Sequence, residues 1–446
     1  MTSQDTPILL KPAKHNFYLL KDRYHFILIC LMIFSYFYNL PVIGYSVSGD
    51  NELRLYDILG IYVLFIFVMN YSFYSHVIKK TPVFKWFYWF VLWCSITILI
   101  TFLFSIFKDR LLRFLQSVLY LYHLWVFFVT AVLFYVMSFN RKNLIHFVYL
   151  LLFCSLCSGV IIILQNLGFI PFLWNRSYEV SYAGFLSGTL GPNKIVSGMY
   201  SMIMAIFSVG LLFNKKHSVS KILLIAVIIV NLYVLLLSGS RTSYVGLIVF
   251  IVFFSFYKTS GFLFFAIFFG SSFMFLLNVN EGINEKVMEV IEGRVVNKIQ
   301  SEEDLENANV ETLYEDLGSG RSTLSLKYID YLGNNPEIIP FGQGFNNRLL
   351  KGFSAHNMYL NLIKELGLVG FVMFYGWLIH FLLISFNKNS GYSLALKGLV
   401  LSMLVTLFFG EHLYIYRPLF AILGLFLIVT TALISFLHKN EFNQQQ

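Results

Sequence analysis

Three side chains in this chain join chemical reactivity to an unusual setting: His356, Arg241 and Arg321. His356 closes the stretch Gly352-Phe-Ser-Ala-His356-Asn357, on the threshold of an apolar run. An imidazole with an unperturbed pKa near ~6.5 suits general-base work at neutral pH. Arg241 sits in the turn Ser238-Gly-Ser-Arg241-Thr242, at the end of another apolar run. Glycine and small serines let backbone N–H groups approach an anion closely, and a guanidinium matches phosphate oxygens in pairs. Arg321 follows Gly318-Ser-Gly320 and opens a helical segment, whose N-terminus is itself an anion site. Ser240 and Asn357 flank two of these residues. The turn Gly191-Pro-Asn193-Lys194 adds Asn193 and Lys194, the latter as a second phosphate contact.

Each of these residues also has a plainer reading. An arginine at a membrane surface snorkels, one in a charged loop is solvated, a histidine before a helix caps it, and Pro192 marks an ordinary helix start. The repetition of local chemistry, Ser-Gly-Ser-Arg and Gly-Ser-Gly-Arg, favours the functional reading. So does the placement of all three residues on one side of a membrane, argued below. Two guanidinium groups and an imidazole fit transfer from a lipid-anchored pyrophosphate. The arginines would hold the leaving group's charge, and the histidine would take a proton from an incoming hydroxyl. Glu365 lies nine positions after His356, half a turn out of phase on a 3.6-residue helix, and reads as a buried structural acid. No carboxylate pair suits a two-acid glycosidase mechanism. Metal-ligand spacing is absent, so the expectation is no metal and no cofactor, with cationic side chains in the metal's place.

The elements that must position these residues are membrane helices. Of 446 residues 58% are hydrophobic and only 12% charged, with mean hydropathy +0.71. Soluble domains carry about twice that charge. Apolar runs of about 20 residues recur, each able to cross a ~30 Å hydrocarbon core. They lack the alternation of barrel strands, so an all-α polytopic bundle is expected. About twelve spans are expected, starting near Tyr24, Ile58, Phe84, Phe114, Leu144, Lys194, Ile222, Ser243, Gly261, Asn357, Leu394 and Pro418.

Both termini are expected in the cytoplasm, because Lys79, Lys80, Arg141, Lys142, Lys215, Lys216, Lys221, Lys258, Lys388 and Lys439 then face inside. The Lys108–Arg113 stretch is the exception. The N-terminus is not expected to be a cleavable signal peptide. The net charge of +9 therefore reports membrane orientation rather than nucleic-acid binding. The four cysteines all lie in apolar runs and read as small packing residues.

This topology gathers the loop Pro171–Asn193, the Ser238–Thr242 turn, a long polar island (Val279–Ala355) and the turn Glu411–Arg417 on the non-cytoplasmic side. The chain then divides into N-terminal helices (1–193), central helices with the Ser-Arg turn (194–279), a large external loop (280–356) and C-terminal helices (357–446). Inside the loop, Gly282–Gln300 and Ser322–Leu332 are expected helices, and Phe341-Gly-Gln-Gly-Phe345 a tight glycine turn.

At these residues the chain resembles the O-antigen ligases and the O-antigen or capsule polymerases. The resemblance rests on Ser238-Gly-Ser-Arg241-Thr-Ser-Tyr-Val-Gly246, on Gly320-Arg321 with Pro336–Gly344, and on Ala355-His356-Asn357-Met-Tyr-Leu360 followed by Glu365-Leu-Gly-Leu-Val-Gly370. It covers about residues 185 to 380. It implies a bundle of about twelve helices like the C-type membrane glycosyltransferases, in a bacterial cytoplasmic membrane. It also implies a glycan donor on undecaprenyl pyrophosphate and a site on the periplasmic or outer face. By position, Arg241 and Arg321 would bind the pyrophosphate and His356 would activate the acceptor. A polymerase would transfer to another lipid-linked repeat unit, a ligase to lipid A core, and a protein O-oligosaccharyltransferase to a Ser or Thr. Membrane lipids and a chain-length regulator are the other implied partners. A transporter or flippase is the alternative from another class. Such proteins place ionisable residues and broken helices in mid-membrane, and this chain shows few mid-span charges.

Overall fold

The computed structural model describes residues 22–43, 53–107, 111–174, 187–191, 194–214, 219–260, 263, 265–267, 321–347, 356–414 and 420–442. Nearly all regular structure among them is helical. The first half holds α1 (Asp22–Phe37), α2 (Leu55–Met69), α3 (Tyr71–Lys80), α4 (Pro82–Phe107), α5 (Leu111–Met137) and α6 (Arg141–Asn166). The second holds α7 (Lys194–Leu212), α8 (Lys221–Ser238), α9 (Arg241–Tyr257), α10 (Arg321–Gly333), α11 (Met358–Leu383), α12 (Gly391–Thr406) and α13 (Phe420–Phe442). A short antiparallel pair, β1 (Pro41–Ile43) and β2 (Leu53–Arg54), joins α1 to α2.

Seven of the described helices are long and apolar enough to cross a membrane: α4, α5, α6, α7, α8, α11 and α13. The pair α2 and α3 would make an eighth, but the two halves are bent by 88°. The apolar helices α1, α9 and α12 are shorter, at 16, 17 and 16 residues. Apart from α3 and α10, the described helices start within three residues of the expected span starts. The expected start at Gly261 lies outside the described residues, as does the expected helix Gly282–Gln300.

Helices without a hydrophobic drive between them need small residues where backbones meet. Gly210 of α7 and Gly391 of α12 serve this way. A Cβ on Gly210 would lie 2.3 Å from Ala395 Cβ, and one on Gly391 would lie 2.2 Å from the Gly210 carbonyl oxygen. Around α7 pack α8, α9, α12 and α13, and α4 packs between α5 and α11. Trp93 Nε1 donates to the Leu366 carbonyl (2.9 Å), and Trp86 Nε1 donates to His380 Nε2 (3.1 Å), which sets α4 antiparallel to α11.

The main irregularity is in α11. Gly367 leaves the helical region (φ 68°, ψ −173°) and breaks the helix after Leu366. The segment Pro336–Asn347 fills the break. Gln343 and Gly344 donate N–H groups to the Lys364 and Glu365 carbonyls (both 2.9 Å), and Leu368 N–H reaches the Ile339 carbonyl (2.8 Å). Backbone groups freed by the break are thus satisfied by protein, as a low-dielectric setting requires. The glycines here are obligatory. Gly342 and Gly367 have φ of +77° and +68°, and a Cβ on either would lie 2.3 Å from a facing carbonyl oxygen.

Most of the expected external loop lies outside the described residues. Its described end, Gln343–Asn347, packs into the bundle. Gly344 lies against Thr97 and Thr101 of α4, and Thr101 Oγ1 donates to the Phe345 carbonyl (2.7 Å). Those threonines precede the end of α4 by ten and six residues, a depth of about 9–15 Å at ~1.5 Å per residue. The expected glycine turn at Phe341–Phe345 and the expected helix near Ser322–Leu332 are both present, the latter as α10.

Candidate functional site

One end of the bundle collects most of the residues singled out above. Asn357 is the N-cap of α11, and its side-chain oxygen accepts from Tyr359 N–H (2.9 Å) and Leu360 N–H (3.3 Å). Side-chain oxygens of this kind satisfy the first free N–H groups of a helix. The cap role therefore belongs to Asn357, and its carbonyl oxygen is committed to the helix. His356 stands one residue before it, half-buried and with left-handed backbone (φ 48°). That conformation costs a non-glycine residue roughly 1–2 kcal/mol.

The start of α11 is tied to the end of α12. Met358 N–H donates to the Leu407 carbonyl, and Tyr359 Oη donates to the Leu404 carbonyl, each at 2.9 Å. The end of α12 in turn meets α9, since a Cβ on Gly246 would lie 2.7 Å from Thr406 Cγ2. Arg241 is the first residue of α9 and is half-buried. The turn before it is made by Gly239 in the left-handed region (φ 57°), which ends α8. Ser240 Oγ pairs with Ser243 Oγ (2.9 Å), and the Ser240 N–H donates to Ser238 Oγ (3.2 Å). This turn packs on α7, because a Cβ on Gly198 would lie 2.8 Å from Ser240 Cβ. Gly198 is one helical turn beyond Lys194, the half-buried first residue of α7. Arg241, Ser240, Lys194, Asn357 and His356 thus share one end of the bundle.

Arg321 opens α10, which packs on the first half of α11. Its side chain lies outside the described atoms, and Asn193 lies outside the described residues. Glu365 behaves as a structural acid. It is buried (2% exposed) and accepts from Asn346 N–H and from Tyr414 Oη, both at 3.0 Å. Burial first, then the Glu365 carboxylate, holds the Tyr414 phenol well above its ordinary pKa, so it remains a donor at neutral pH. Glu411 and His412, buried in the turn before α13, lie at the same end. The four cysteines are free thiols inside helices. Among the described residues no three His, Cys, Asp or Glu side chains gather as metal ligands.

A second polar centre escaped the sequence reading. His123 of α5 pairs through Nε2 with Asp57 Oδ1 of α2, and both side chains are 5% exposed. Asp57 Oδ2 also accepts from Arg54 N–H (2.7 Å), while Arg54 Nη1 donates to Asn39 Oδ1 (3.1 Å) and Tyr56 Oη (3.0 Å). Asn39 reaches the Leu190 carbonyl (2.9 Å), just before α7. This network therefore ties the α1–α2 connection to the chain entering α7. Asp57 and His123 are 66 residues apart, so no spacing rule would have paired them.

No model of a known protein family matches this chain, and comparison with curated proteins found no similar sequence.

Proposed function

We propose that this chain is a membrane glycosyltransferase that joins oligosaccharide repeat units carried on undecaprenyl pyrophosphate, an O-antigen or capsule polymerase. The observation that carries the reading is the placement of two helix starts at the same end of an apolar bundle, each packed on the end of α12 or its neighbours. One is the Arg241 turn, the other His356 and its Asn357 cap. Arg241 and Arg321 would hold the pyrophosphate, with Lys194 and Ser240 beside it, and His356 would take the acceptor's proton. In this reading the chain crosses a bacterial cytoplasmic membrane about twelve times, with its site on the outer face. Transfer to lipid A core, by a ligase, uses the same donor chemistry.

One observation favours a reading from another class. The break in α11 with buried Lys364 and Glu365 beside it is the kind of discontinuous helix found in transporters. Here the break is plugged by Pro336–Asn347 and its backbone groups are satisfied, which favours a fixed scaffold over a moving gate.

The deciding experiment is a gel of surface and lipid-linked glycans from cells lacking the protein, rescued with the native or the His356→Ala chain. The polymerase reading expects single repeat units that the native chain lengthens and His356→Ala does not. Long chains stranded on the carrier lipid would indicate a ligase. Unchanged glycans would reject both.

A further inference from the structure

A cavity of about 610 Å³ opens between α10 and the first half of α11. That size falls within the ~300–1,000 Å³ of small-molecule sites. Two phenol rings line it, Tyr328 and Tyr331, with the amides of Asn334 and Asn335, the Asp330 carboxylate and the ammonium groups of Lys327 and Lys364. The rings are held from behind. Lys364 Nζ sits 4.9 Å from the Tyr328 ring centre and donates to Tyr328 Oη (3.3 Å). Gln343 Nε2, from the segment that plugs the broken helix, donates to Tyr331 Oη. The plug thus fixes the wall of the cavity as well as the break. The other end of the same amide, Gln343 Oε1, is buried without a hydrogen-bond partner. It is an acceptor in want of a donor, next to the ring that lines the cavity.

We infer that this cavity is a glycan subsite that seats a sugar ring of the lipid-linked oligosaccharide; the inference rests on the glycosyltransferase reading above. A pyranose presents an apolar C–H face, which suits a fixed aromatic ring. Its rim of hydroxyls both donates and accepts, which suits amides and a carboxylate together. A polyprenyl chain would leave those polar groups unpaired. A pyrophosphate calls for cations alone, whereas among the described residues the two lysines here stand with a carboxylate, two amides and two phenol rings. The position fits a ring near the reacting bond. Lys364 lies six residues into α11 from Met358, about 9 Å along the axis from the helix start beside His356.

The test is calorimetric titration of the full chain in detergent. The probe is the lipid-free repeat-unit oligosaccharide, released by mild acid from the carrier lipid of cells that make this protein. Saturable binding by the native chain is expected. Tyr331→Ala and the exposed-site variant Asn334→Ala should each weaken it at least tenfold, and Tyr331→Phe, which keeps the ring but loses the bond from Gln343, should weaken it less than Tyr331→Ala. No binding by the native chain, or equal binding by Tyr331→Ala and Asn334→Ala, would overturn the subsite. Loss of polymer on the glycan gel with binding insensitive to Tyr331 rejects the subsite alone. Tyr331-dependent binding with unchanged glycans rejects the transferase reading and leaves the subsite standing.

Discussion

His356 and Arg241 draw their proposed roles from where the chain places them, each beside the start of a helix. Asn357 takes the helix cap, so the imidazole before it is not needed there. Arg241 follows a buried turn made by a left-handed glycine and two serines whose Ser240 N–H is taken by Ser238 Oγ, so the guanidinium itself is the anion-binding group offered there, by shape as well as charge. Arg241→Lys keeps the charge but loses the fork. Polymer synthesis by Arg241→Lys is expected to fall at least tenfold, close to the level of Arg241→Ala, at equal membrane abundance. Near-native polymer from the lysine variant would mean that bidentate binding is not required. The Asp57–His123 pair makes a contrasting prediction, about stability. Removing one partner of a buried hydrogen-bonded pair leaves the other unsatisfied, at about 1–3 kcal/mol. Asp57→Ala should therefore lower the thermal unfolding midpoint in detergent clearly, and an unchanged midpoint would show that the pair holds nothing together. The candidate site residues were legible as types in local turns. The Asp57 pair was not, because its members are distant in sequence and each alone looks like a stray polar residue in an apolar run.

The element that decides the architecture is the break in α11 with its plug. A helix that long would normally run straight through. It stops at Gly367 because the backbone adopts φ +68°, and the freed carbonyls are met by Gln343 and Gly344. Gly367→Ala places a Cβ 2.3 Å from the Pro340 carbonyl oxygen and adds a left-handed penalty of roughly 1–2 kcal/mol. Expected is a large loss of thermal stability, and the same for Gly342→Ala. Stability unchanged in both would mean that the plug is not docked. Tyr414→Phe is a milder probe. It removes one donor to Glu365 and leaves the Asn346 N–H, so a cost of about 1–3 kcal/mol is expected, as for a hydrogen bond to a charged group. The glycines of this element were visible in the sequence as a turn. That the turn would lie inside the bundle was not, since a polar, glycine-rich stretch reads as external by composition alone.

Across the whole molecule, the described helices alternate direction, and the short basic connections fall at the end away from His356. Lys79 and Lys80 end α3, and Lys388 lies between α11 and α12. Single cysteines at Lys79 and Lys388, in a chain whose native cysteines are replaced by serine or alanine, should label from one face of sealed vesicles. A cysteine at Lys194 should label from the other. Labelling of all three from one face would reject the topology. The bend of 88° between α2 and α3 belongs to this scale too. It breaks the expected second crossing into two helices, the second of which packs on α4.

Hydropathy alone determined that this is an all-α protein of membrane-crossing helices and where most of those helices start. Those follow from local composition, because lipid forces each apolar segment to satisfy its own backbone. The tertiary structure decided the rest. It assigned the cap to Asn357 and left His356 beside it, buried Glu365 on Tyr414, and joined Asp57 to His123. It also drew Pro336–Asn347 into a broken helix. These depend on contacts between segments far apart in the chain, and no local pattern encodes which distant carbonyl a glycine turn will meet.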